Sequence, residues 1–540
     1  MKRKNIVKVL CALCSAVLIA GAGSAGAYAA EVDFTERVAS ENTYENTGDD
    51  ALPASYSSRD LGYVTSVKSQ YSNSCWAYAS TATLESLLLR NGIDNGDMST
   101  SHMNMWATSR SNGKGWMREI NDDGYPVTPI GYFTSWQGGV FVADMDEDPL
   151  NFDTYGDQVP TDLARYGVTS VRYLSKDDPA EIKRAIMDNG GVYSSFAYTG
   201  ACFNSEMTSF YMPPSYNGSY SGHSIEVVGW DDNYPRTSFT GRGDDIPEND
   251  GAWLIKNSHG NNNSLGGYFY ISYEDKLLFS TKFVPSFSLE SFEVIDDSVK
   301  LIQNEIYGAT YEFRYIKNDS LTYMNRLSFD SDYSVLDKVV FKTEALGASY
   351  TVYYVPDAEN ETPDADETHW TKLHEGTVDY KGYICADVKD FNYPDKTGSL
   401  AITIDCTGTG LKSSIGVGEW LTSSGSYVFI NESERGQSFI KNGDTVQDVM
   451  DWYKQNEDDD IGGTFVIKAI TRKPAEPTLL GDVNLDGEVN ILDVTQIQRH
   501  VAEYITLEKT AAANADYNRD GIITVEDATM IQRFLAEFDV

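Results

Sequence analysis

Cysteine and histidine are scarce in this sequence, since each occurs only six times among 540 residues. Two of the cysteines, Cys11 and Cys14, lie near the amino terminus, and the four that remain are too few for a disulfide framework. Basic residues are also few, 42 against 81 acidic ones, and the net charge of −39 argues against binding to nucleic acid or anionic lipid. After residue 30 no apolar run is long enough to cross a bilayer, so no membrane span is predicted.

The features that are present predict export and more than one domain. Residues 1–29 combine a basic start, an apolar run and small residues at Ala27 and Ala29, which is typical of a secretory signal peptide. Residues 30–51 are polar and acidic, and we expect them to form a short leader. The remaining chain is long and apolar enough for about three domains with their own cores.

Three regions follow the leader, and their patterns differ. Residues 52–285 mix helical and strand patterns, whereas residues 286–471 carry short strands separated by turn signals, which predicts an all-β sandwich. Residues 472–479 contain two prolines and are predicted to be a linker, followed by a third domain at 480–540. The sequence does not decide whether Cys385 and Cys406 form a disulfide. The strands expected in the middle region are Lys338–Thr343, Ser349–Val355, Ser399–Asp405, Ser426–Ile430 and Thr464–Thr471.

Cys75 stands where a helix is predicted to begin. From Trp76 onward apolar residues recur with a helical period, Asn73 or Ser74 can cap the start, and Asn91-Gly92 offers a stop. A cysteine at a helix amino terminus is exposed to the positive end of the macrodipole, which favours the thiolate that a nucleophile needs. Taken alone, Cys75 would be interpreted as a buried, inert cysteine.

Two downstream segments favour a catalytic role for Cys75. Downstream of Cys75, His223 opens one apolar strand and Asn257 closes another. With these segments the chain resembles the papain family of cysteine proteases over Leu52–Asp275, and in particular its secreted bacterial branch, in which a lectin-like β-domain often follows. The matching motifs are Gln70, Cys75-Trp76-Ala77, Gly222-His223 and Lys256-Asn257-Ser258.

The resemblance implies an α+β papain-like catalytic domain at 52–285 and a lectin-like β-sandwich at 286–471. It assigns Cys75 as the nucleophile and His223 as the acid and base, with Asn257 orienting the imidazole. Gln70 and the backbone N–H of Cys75 would form the oxyanion hole, and no cofactor is implied for catalysis.

The sequence departs from the family pattern at two positions of the site. Gln70 stands five residues before the cysteine where family members usually have six, which puts the oxyanion geometry in question. The usual Asn-Ser-Trp-Gly is replaced by a run with His259 in place of the tryptophan that shields the Asn–His hydrogen bond. We expect this histidine to shield less well and to add a titratable group beside the pair.

The last 60 residues contain an internal repeat. Residues 481–504 align with residues 515–538 at eleven of 24 positions, and each copy has the oxygen-ligand spacing of a calcium loop with a glycine at position 6. An acidic turn without metal is the alternative. The predicted ligands are Asp482, Asn484, Asp486, Glu488 (backbone carbonyl), Asn490 and Asp493 in the first loop, and Asp516, Asn518, Asp520, Ile522 (backbone carbonyl), Thr524 and Asp527 in the second.

Each loop is followed by a single helix, and position 12 is Asp rather than the Glu of an EF-hand. These features resemble a type I dockerin, a small α-helical module with two calcium loop–helix (F-hand) repeats that binds cohesin domains of a cellulosome-type scaffoldin. The two repeats are expected to pack together through Ile497, Val501, Ile531 and Leu535. By analogy, the cohesin contacts would be Ile491, Leu492, Gln498 and Arg499, and Val525, Glu526, Gln532 and Arg533.

The sequence therefore predicts a secreted cysteine endopeptidase that carries two calcium ions in its dockerin and hydrolyses protein or peptide substrates. It would be bound extracellularly to a cellulosome-type complex, at the cell surface or free. The alternatives are a catalytically inert papain-like adhesin displayed on the same scaffold and a regulator that grips partners without cleaving them. The ligand of the β-domain is left open between a glycan and a protein.

Overall fold

The structure is a computed structural model. The described residues are 52–94, 96–109, 115–116, 118–145, 158–239, 245–280, 285–314, 318–357, 362–394, 396–418, 422–424, 427–430, 433–456, 463–474, 477–502, 504–507 and 509–536. The predicted signal peptide and the predicted leader both lie outside them. None of the helices formed by these residues is both long and apolar enough to cross a membrane.

The amino-terminal region is an α+β fold, as predicted. Its elements are β1 (Ser55–Ser57), α1 (Cys75–Arg90), α2 (Thr100–Trp106), β2 (Gly115–Trp116), α3 (Val127–Thr134), β3 (Tyr166–Leu174), α4 (Pro179–Asn189), β4 (Val192–Tyr198), β5 (Phe203–Asn204), β6 (Ser209–Phe210), β7 (Ser221–Asp231), β8 (Ala252–Lys256) and β9 (Tyr268–Ser272). The predicted helix after Ser74 is confirmed, with Asn91 as its C-cap. The Ser74 side chain does not cap it, because its hydroxyl donates to the carbonyl of Tyr71 instead.

The middle region is almost entirely β, and each predicted strand segment has a counterpart there. Its elements are β10 (Ser286–Val294), β11 (Val299–Ile302), β12 (Ala309–Arg314), β13 (Ser320–Ser328), β14 (Val335–Thr343), β15 (Ser349–Pro356), β16 (Thr371–Thr377), β17 (Gly382–Asn392), β18 (Thr397–Asp405), β19 (Ser414–Gly418), β20 (Thr422–Ser424), β21 (Tyr427–Ile430), β22 (Ser438–Asn442), β23 (Thr445–Asp448), α5 (Val449–Asn456), β24 (Thr464–Phe465) and β25 (Ile467–Arg472). Cys385 and Cys406 are both free thiols.

One sheet runs through both regions. Its strand order is β11-β25-β14-β17-β3-β10-β4-β7-β8-β9-β6-β5, with β1 beside β7. Strand β10 starts where the sequence predicts the middle region to begin, and it pairs with β3 and β4 of the first region. Strand β17 meets β3 at Gly382, which has φ +136°, and a Cβ at this glycine would lie 1.9 Å from the Val171 carbonyl oxygen. A glycine is therefore required where the two regions join.

The second half of the sandwich is the sheet β16-β15-β18-β13-β22-β23. Side chains of β14 alternate between two cores: Val339 and Phe341 face this second sheet, whereas Val340 faces the helices of the first region. Strand β25 does the same with Ile467 and Ile470. The shared strands are thus buried on both faces, and the fold is layered as helices, sheet and sheet.

The carboxy-terminal region contains three helices, α6 (Ile491–Val501), α7 (Lys509–Ala515) and α8 (Val525–Leu535). The expected contact between the repeats is confirmed for Ile497 and Ile531, which are fully buried together. It is wrong for Val501 and Leu535, which remain 39% and 38% exposed. These two residues close the last turns of their helices, and the buried stripe instead continues toward the helix starts through Val494 and Ala528. The small core is completed by Val483 and Ala515.

Candidate functional site

Cys75 is the first residue of α1, the helix that packs against strand β7. Its Sγ accepts a hydrogen bond of 3.5 Å from the backbone N–H of Ser224, the residue that follows His223. Burial raises the pKa of the Cys75 thiol, the hydrogen bonds from Ser224 oppose that rise, and the nearby carboxylate of Asp123 adds to it. The predicted nucleophile therefore contacts the residue that directly follows the predicted base.

His223 is oriented by Asn257, as the resemblance implies. Its Nε2 lies 2.8 Å from Asn257 Oδ1, and the same oxygen accepts a 2.8 Å hydrogen bond from the backbone N–H of Ser258. Because an amide oxygen only accepts, Nε2 must carry a proton, which leaves Nδ1 as the ring nitrogen free to exchange a proton with the thiol. Burial lowers the pKa of His223, and the bond to Asn257 opposes that shift.

His259 lies flat against His223. The two ring centroids are 4.7 Å apart with an angle of 26° between the planes, so His259 covers one face of the His223 imidazole. Its own side chain stays open to solvent. Desolvation and the charge of His223 both lower the pKa of His259, which makes it a second titratable ring in direct contact with the first.

Gln70 is tied to the segment that follows Asn257. Its Oε1 accepts from the Ser258 hydroxyl at 2.6 Å, and its backbone N–H donates to the Ser258 carbonyl at 2.7 Å. One N–H of its amide donates to the carbonyl of Ser72 at 3.0 Å, which leaves the second N–H free of that bond. The shortened loop closes with Ser72 at a φ of +45°, a strained conformation for a residue with a side chain.

A buried charge network lies behind these four residues. Glu85 of α1 binds Lys68 Nζ at 2.5 Å, and Lys256, next to Asn257, lies 3.2 Å from Glu226 of β7. Thr65 bridges the two pairs, donating to Glu85 at 2.5 Å and accepting from Lys256 at 3.0 Å. Burial alone would raise the pKa of Glu85, but Lys68 and Lys256 hold it below its ordinary value.

This network joins every segment that carries a predicted catalytic residue: the stretch before Gln70, helix α1, and strands β7 and β8. Of its members, only Lys256 belongs to a motif recognised in the sequence, and no role was predicted for it. Lys68 and Lys256 each stand within two residues of a predicted catalytic residue, and a charge at the end of an apolar strand such as β8 is a signal that a buried partner is needed.

The two predicted calcium loops have the same internal geometry. In each loop the position-1 carboxylate accepts backbone N–H groups from positions 5 and 6, at 3.1 and 2.9 Å for both Asp482 and Asp516. The position-12 carboxylates of Asp493 and Asp527 are fully buried and accept backbone N–H groups from positions 2, 3 and 9. The side-chain donors at the ligand positions are oxygens throughout, the donor type that calcium prefers.

Within the described residues, no three Asp, Glu, His or Cys side chains already converge as a metal cluster. In each loop the acidic oxygens instead bond to the loop's own backbone and to the amide of Asn484 or Asn518. The eight predicted cohesin-contact residues are all exposed on the first turns and outer faces of α6 and α8, with Ile491 at 57% and Val525 at 61%.

Three family models match the chain in sequence order. They are papain family cysteine protease over residues 52–282, lectin-like domain over 301–471 and dockerin type I domain over 480–536. The solved structure of a clostridial cysteine protease, Cwp84, after propeptide cleavage is 32% identical, covers 78% of this chain and 99% of that chain, and superposes with a TM-score of 0.67. The cysteine protease and lectin-like domains of Cwp84 from Clostridium difficile, described as surface-layer associated, give 31% identity, 78% and 90% coverage and a TM-score of 0.67.

The fold, the family model and the similarity to the clostridial protease together define a cysteine peptidase of the papain type. The chain belongs to the papain family of cysteine proteases, and it carries a lectin-like domain and a type I dockerin after the protease domain. A curated relative, endo-1,4-beta-xylanase Y of Acetivibrio thermocellus, is 35% identical over 72 residues, or 13% of this chain. The match spans only 7% of that xylanase.

Proposed function

We propose that the chain is a secreted cysteine endopeptidase that uses Cys75, His223 and Asn257 and is held on a cellulosome-type scaffold by its dockerin. The observation that carries the catalytic half is the 2.8 Å contact between His223 Nε2 and Asn257 Oδ1 beside a thiol at a helix start. This contact supports the tautomer with the proton on Nε2, in which Nδ1 is the nitrogen that would exchange a proton with the thiol.

In the proposed reaction the Cys75 thiol passes its proton to His223 Nδ1, and the thiolate attacks the carbonyl carbon of the scissile peptide bond. The imidazolium then gives this proton to the leaving amine as the C–N bond breaks, and a thioester remains on Sγ. A water molecule attacks the thioester while His223 accepts its proton. Return of that proton to Sγ releases the carboxylic acid and restores the thiol.

The oxyanion of the tetrahedral intermediate would be bound by the Cys75 backbone N–H and the free N–H of the Gln70 side chain. The tethering of Gln70 through Ser258 supports this role, because it holds the amide without occupying both of its donors. Loss of one oxyanion donor reduces kcat by about 100- to 1,000-fold in related chemistry. We expect Gln70→Ala to lie in that range, with KM little changed.

The peptidase proposal is tested with an epoxide inhibitor and with casein under reducing conditions. We expect the inhibitor to label Cys75, with labelling and hydrolysis lost in Cys75→Ala and His223→Ala. Cys202, Cys385 and Cys406 serve as internal controls, since none of them should be labelled. An intact chain that neither reacts nor cleaves would refute the proposal and favour an inert binding protein.

The scaffold half of the proposal rests on the dockerin. Type I dockerins are calcium-binding modules, and the matching geometry of the two loops supports two ions, one held by each set of oxygen donors. Isothermal calorimetry should give two calcium ions per chain and a calcium-dependent complex with a scaffoldin cohesin. A stoichiometry of zero, or cohesin binding that is indifferent to chelator, would contradict this half alone.

A further inference from the structure

Beside the thiol, strands β4 and β7 bury three hydroxyl groups that the proposed reaction does not use. Ser195 and Ser224 stand directly opposite each other in this antiparallel pair, and Tyr193 lies two residues before Ser195 on the same face. Ser224 Oγ is 2.8 Å from the hydroxyl of Tyr193 and 3.0 Å from that of Ser195. All three residues are more than nine-tenths buried, at 0%, 6% and 7% exposure for Tyr193, Ser195 and Ser224.

The cluster ends at the reacting sulfur. The Ser224 backbone N–H lies 3.5 Å from Cys75 Sγ, and hydrogen bonding from the Ser224 side chain opposes the rise that burial causes in the pKa of the thiol. At the other end, the Tyr193 ring is stacked on Phe287 with centroids 4.6 Å apart and an angle of 13°, which fixes where its hydroxyl points. Ser224 thus lies between the hydroxyls of Tyr193 and Ser195 on one side and the Cys75 thiol on the other.

Either hydroxyl can be the donor in each of the two Ser224 contacts, and Ser195 also has a longer contact of 3.4 Å in which its hydroxyl donates to that of Tyr193. A serine hydroxyl has one proton to donate and two lone pairs that accept. When Tyr193 and Ser195 both donate to Ser224 Oγ, the two lone pairs are occupied and the proton of Ser224 is directed to Sγ. Hydrogen bonds that run in one direction polarise each other, so the last donor in the series is strengthened.

We propose that Ser224 is a further catalytic residue whose hydroxyl donates a hydrogen bond to the Cys75 thiolate. Tyr193 and Ser195 are positioning residues that orient this hydroxyl. The inference rests on the proposed function, because it assigns a role to a hydroxyl only if Cys75 reacts as a thiolate. Thiolate formation at this buried position must overcome desolvation, and a donor that touches Sγ provides part of that stabilisation. The carboxylate of Asp123, in the segment before α3, opposes thiolate formation, and His223 immediately precedes Ser224 on β7.

The test is the pH dependence of Cys75 alkylation by iodoacetamide in the full chain, located at Cys75 by peptide mass spectrometry. This small reagent needs no substrate subsite, so a change in rate reports on the thiol rather than on substrate binding. A hydrogen bond to a charged acceptor corresponds to about one pH unit, or tenfold in thiolate fraction. We expect Ser224→Ala to move the acid-side midpoint up by that amount, Tyr193→Phe to move it less, and Ser224→Thr to restore it.

Ser194 provides the matched control. It lies between Tyr193 and Ser195 on β4, but its hydroxyl points to the opposite face and bonds Ser286 at 2.9 Å. Ser194→Ala should keep the wild-type midpoint, and thermal melting should show that each variant is folded. Identical profiles for wild type, Ser224→Ala and Tyr193→Phe would overturn the inference while leaving the peptidase intact. A wild-type chain that hydrolyses no peptide would instead sink the proposed function, and the alkylation profiles would still decide whether Ser224 supports the thiolate.

Discussion

The lectin-like domain and the dockerin both follow the protease domain in the chain, yet they differ in how they are joined to it. The lectin-like domain shares a sheet and a core with the protease domain, through β17 paired with β3 and β10 placed between β3 and β4. The dockerin has a core of its own, built around Val494, Ile497, Ala528 and Ile531.

The shared boundary also contains a buried ion pair of the lectin-like domain that contacts the protease domain. Lys468 of β25 and Glu305 are both fully buried, and their charged groups are 2.6 Å apart. The same ammonium donates to the carbonyl of Thr134 at the end of α3, at 3.2 Å. The comparison suggests that the protease and lectin-like domains fold as one unit, whereas the dockerin is an attached module with its own stability.

Removing the lectin-like domain should therefore have the largest effect. A chain that ends after Ile295 keeps β10 but exposes the core face of β3 and the helices that Tyr307 and Tyr383 cover. We expect it to lose its cooperative thermal transition and to bind a hydrophobic dye, because several large apolar side chains lose their burial. A chain that ends before the dockerin, after residue 476, is the control and should melt like the full chain. Equal melting of both truncations would show that the shared sheet is not needed.

Calcium removal should have the next largest effect, and it should act on the dockerin rather than on the protease and lectin-like domains. Without the ion, the Asp carboxylates of each loop repel one another, and a core of this size is too small to hold the dockerin folded alone. Calorimetry of the full chain should show a small transition that chelator abolishes and a large one that it leaves in place. Asp482→Ala together with Asp516→Ala should reproduce the chelator result. Movement of the large transition by chelator would mean that the dockerin is part of the shared unit.

Breaking the buried pair at the boundary should cost less than removing a domain. Lys468→Met leaves Glu305 buried without its counter-ion, and we expect the free energy of unfolding to fall by about 3–5 kcal/mol. Adding Glu305→Gln to this variant removes the unpaired charge and should recover much of the loss. Urea denaturation of both variants, with the dockerin transition as an internal reference, measures the difference. A loss in the dockerin transition of similar size would contradict the proposed independence of the module.

Features set by short stretches of sequence could be predicted, and features set by strand register could not. The calcium loops and helix α1 follow from ligand spacing, a helical period and a stop at Asn91-Gly92, all within one segment. The closeness of Cys75, His223 and Asn257 was reached by resemblance, because their contact depends on how α1, β7 and β8 pack.

The hydroxyl cluster escaped the sequence analysis for the same reason. Ser195 and Ser224 meet only because β4 and β7 pair in one register, and a shift by one residue would turn each side chain to the other face. The strand pairing at Gly382 and the ion pair of Lys468 are likewise long-range. Val494 and Ala528 show a similar limit within single helices. Helical spacing predicts which face of a helix is buried, but not at which turn the burial ends.

The smallest effect is expected at His259, inside the shared unit. Its pKa lies below the ordinary value, so it is neutral at neutral pH and gains charge only in more acidic solution. A charged ring stacked 4.7 Å from His223 disfavours the imidazolium that acylation needs, so kcat/KM should fall as His259 becomes protonated. His259→Trp keeps a stacked ring without the charge, and we expect its kcat/KM to match wild type near pH 7 and to exceed it severalfold near the acid limit of activity. The profiles should be the same with and without chelator, because His223 and His259 lie in the protease domain, whose stability should not depend on calcium. If wild type and His259→Trp have the same kcat/KM profile on the acid side, His259 only shields the His223 ring. If chelator shifts the acid side of either profile, the dockerin is not independent of the protease and lectin-like domains.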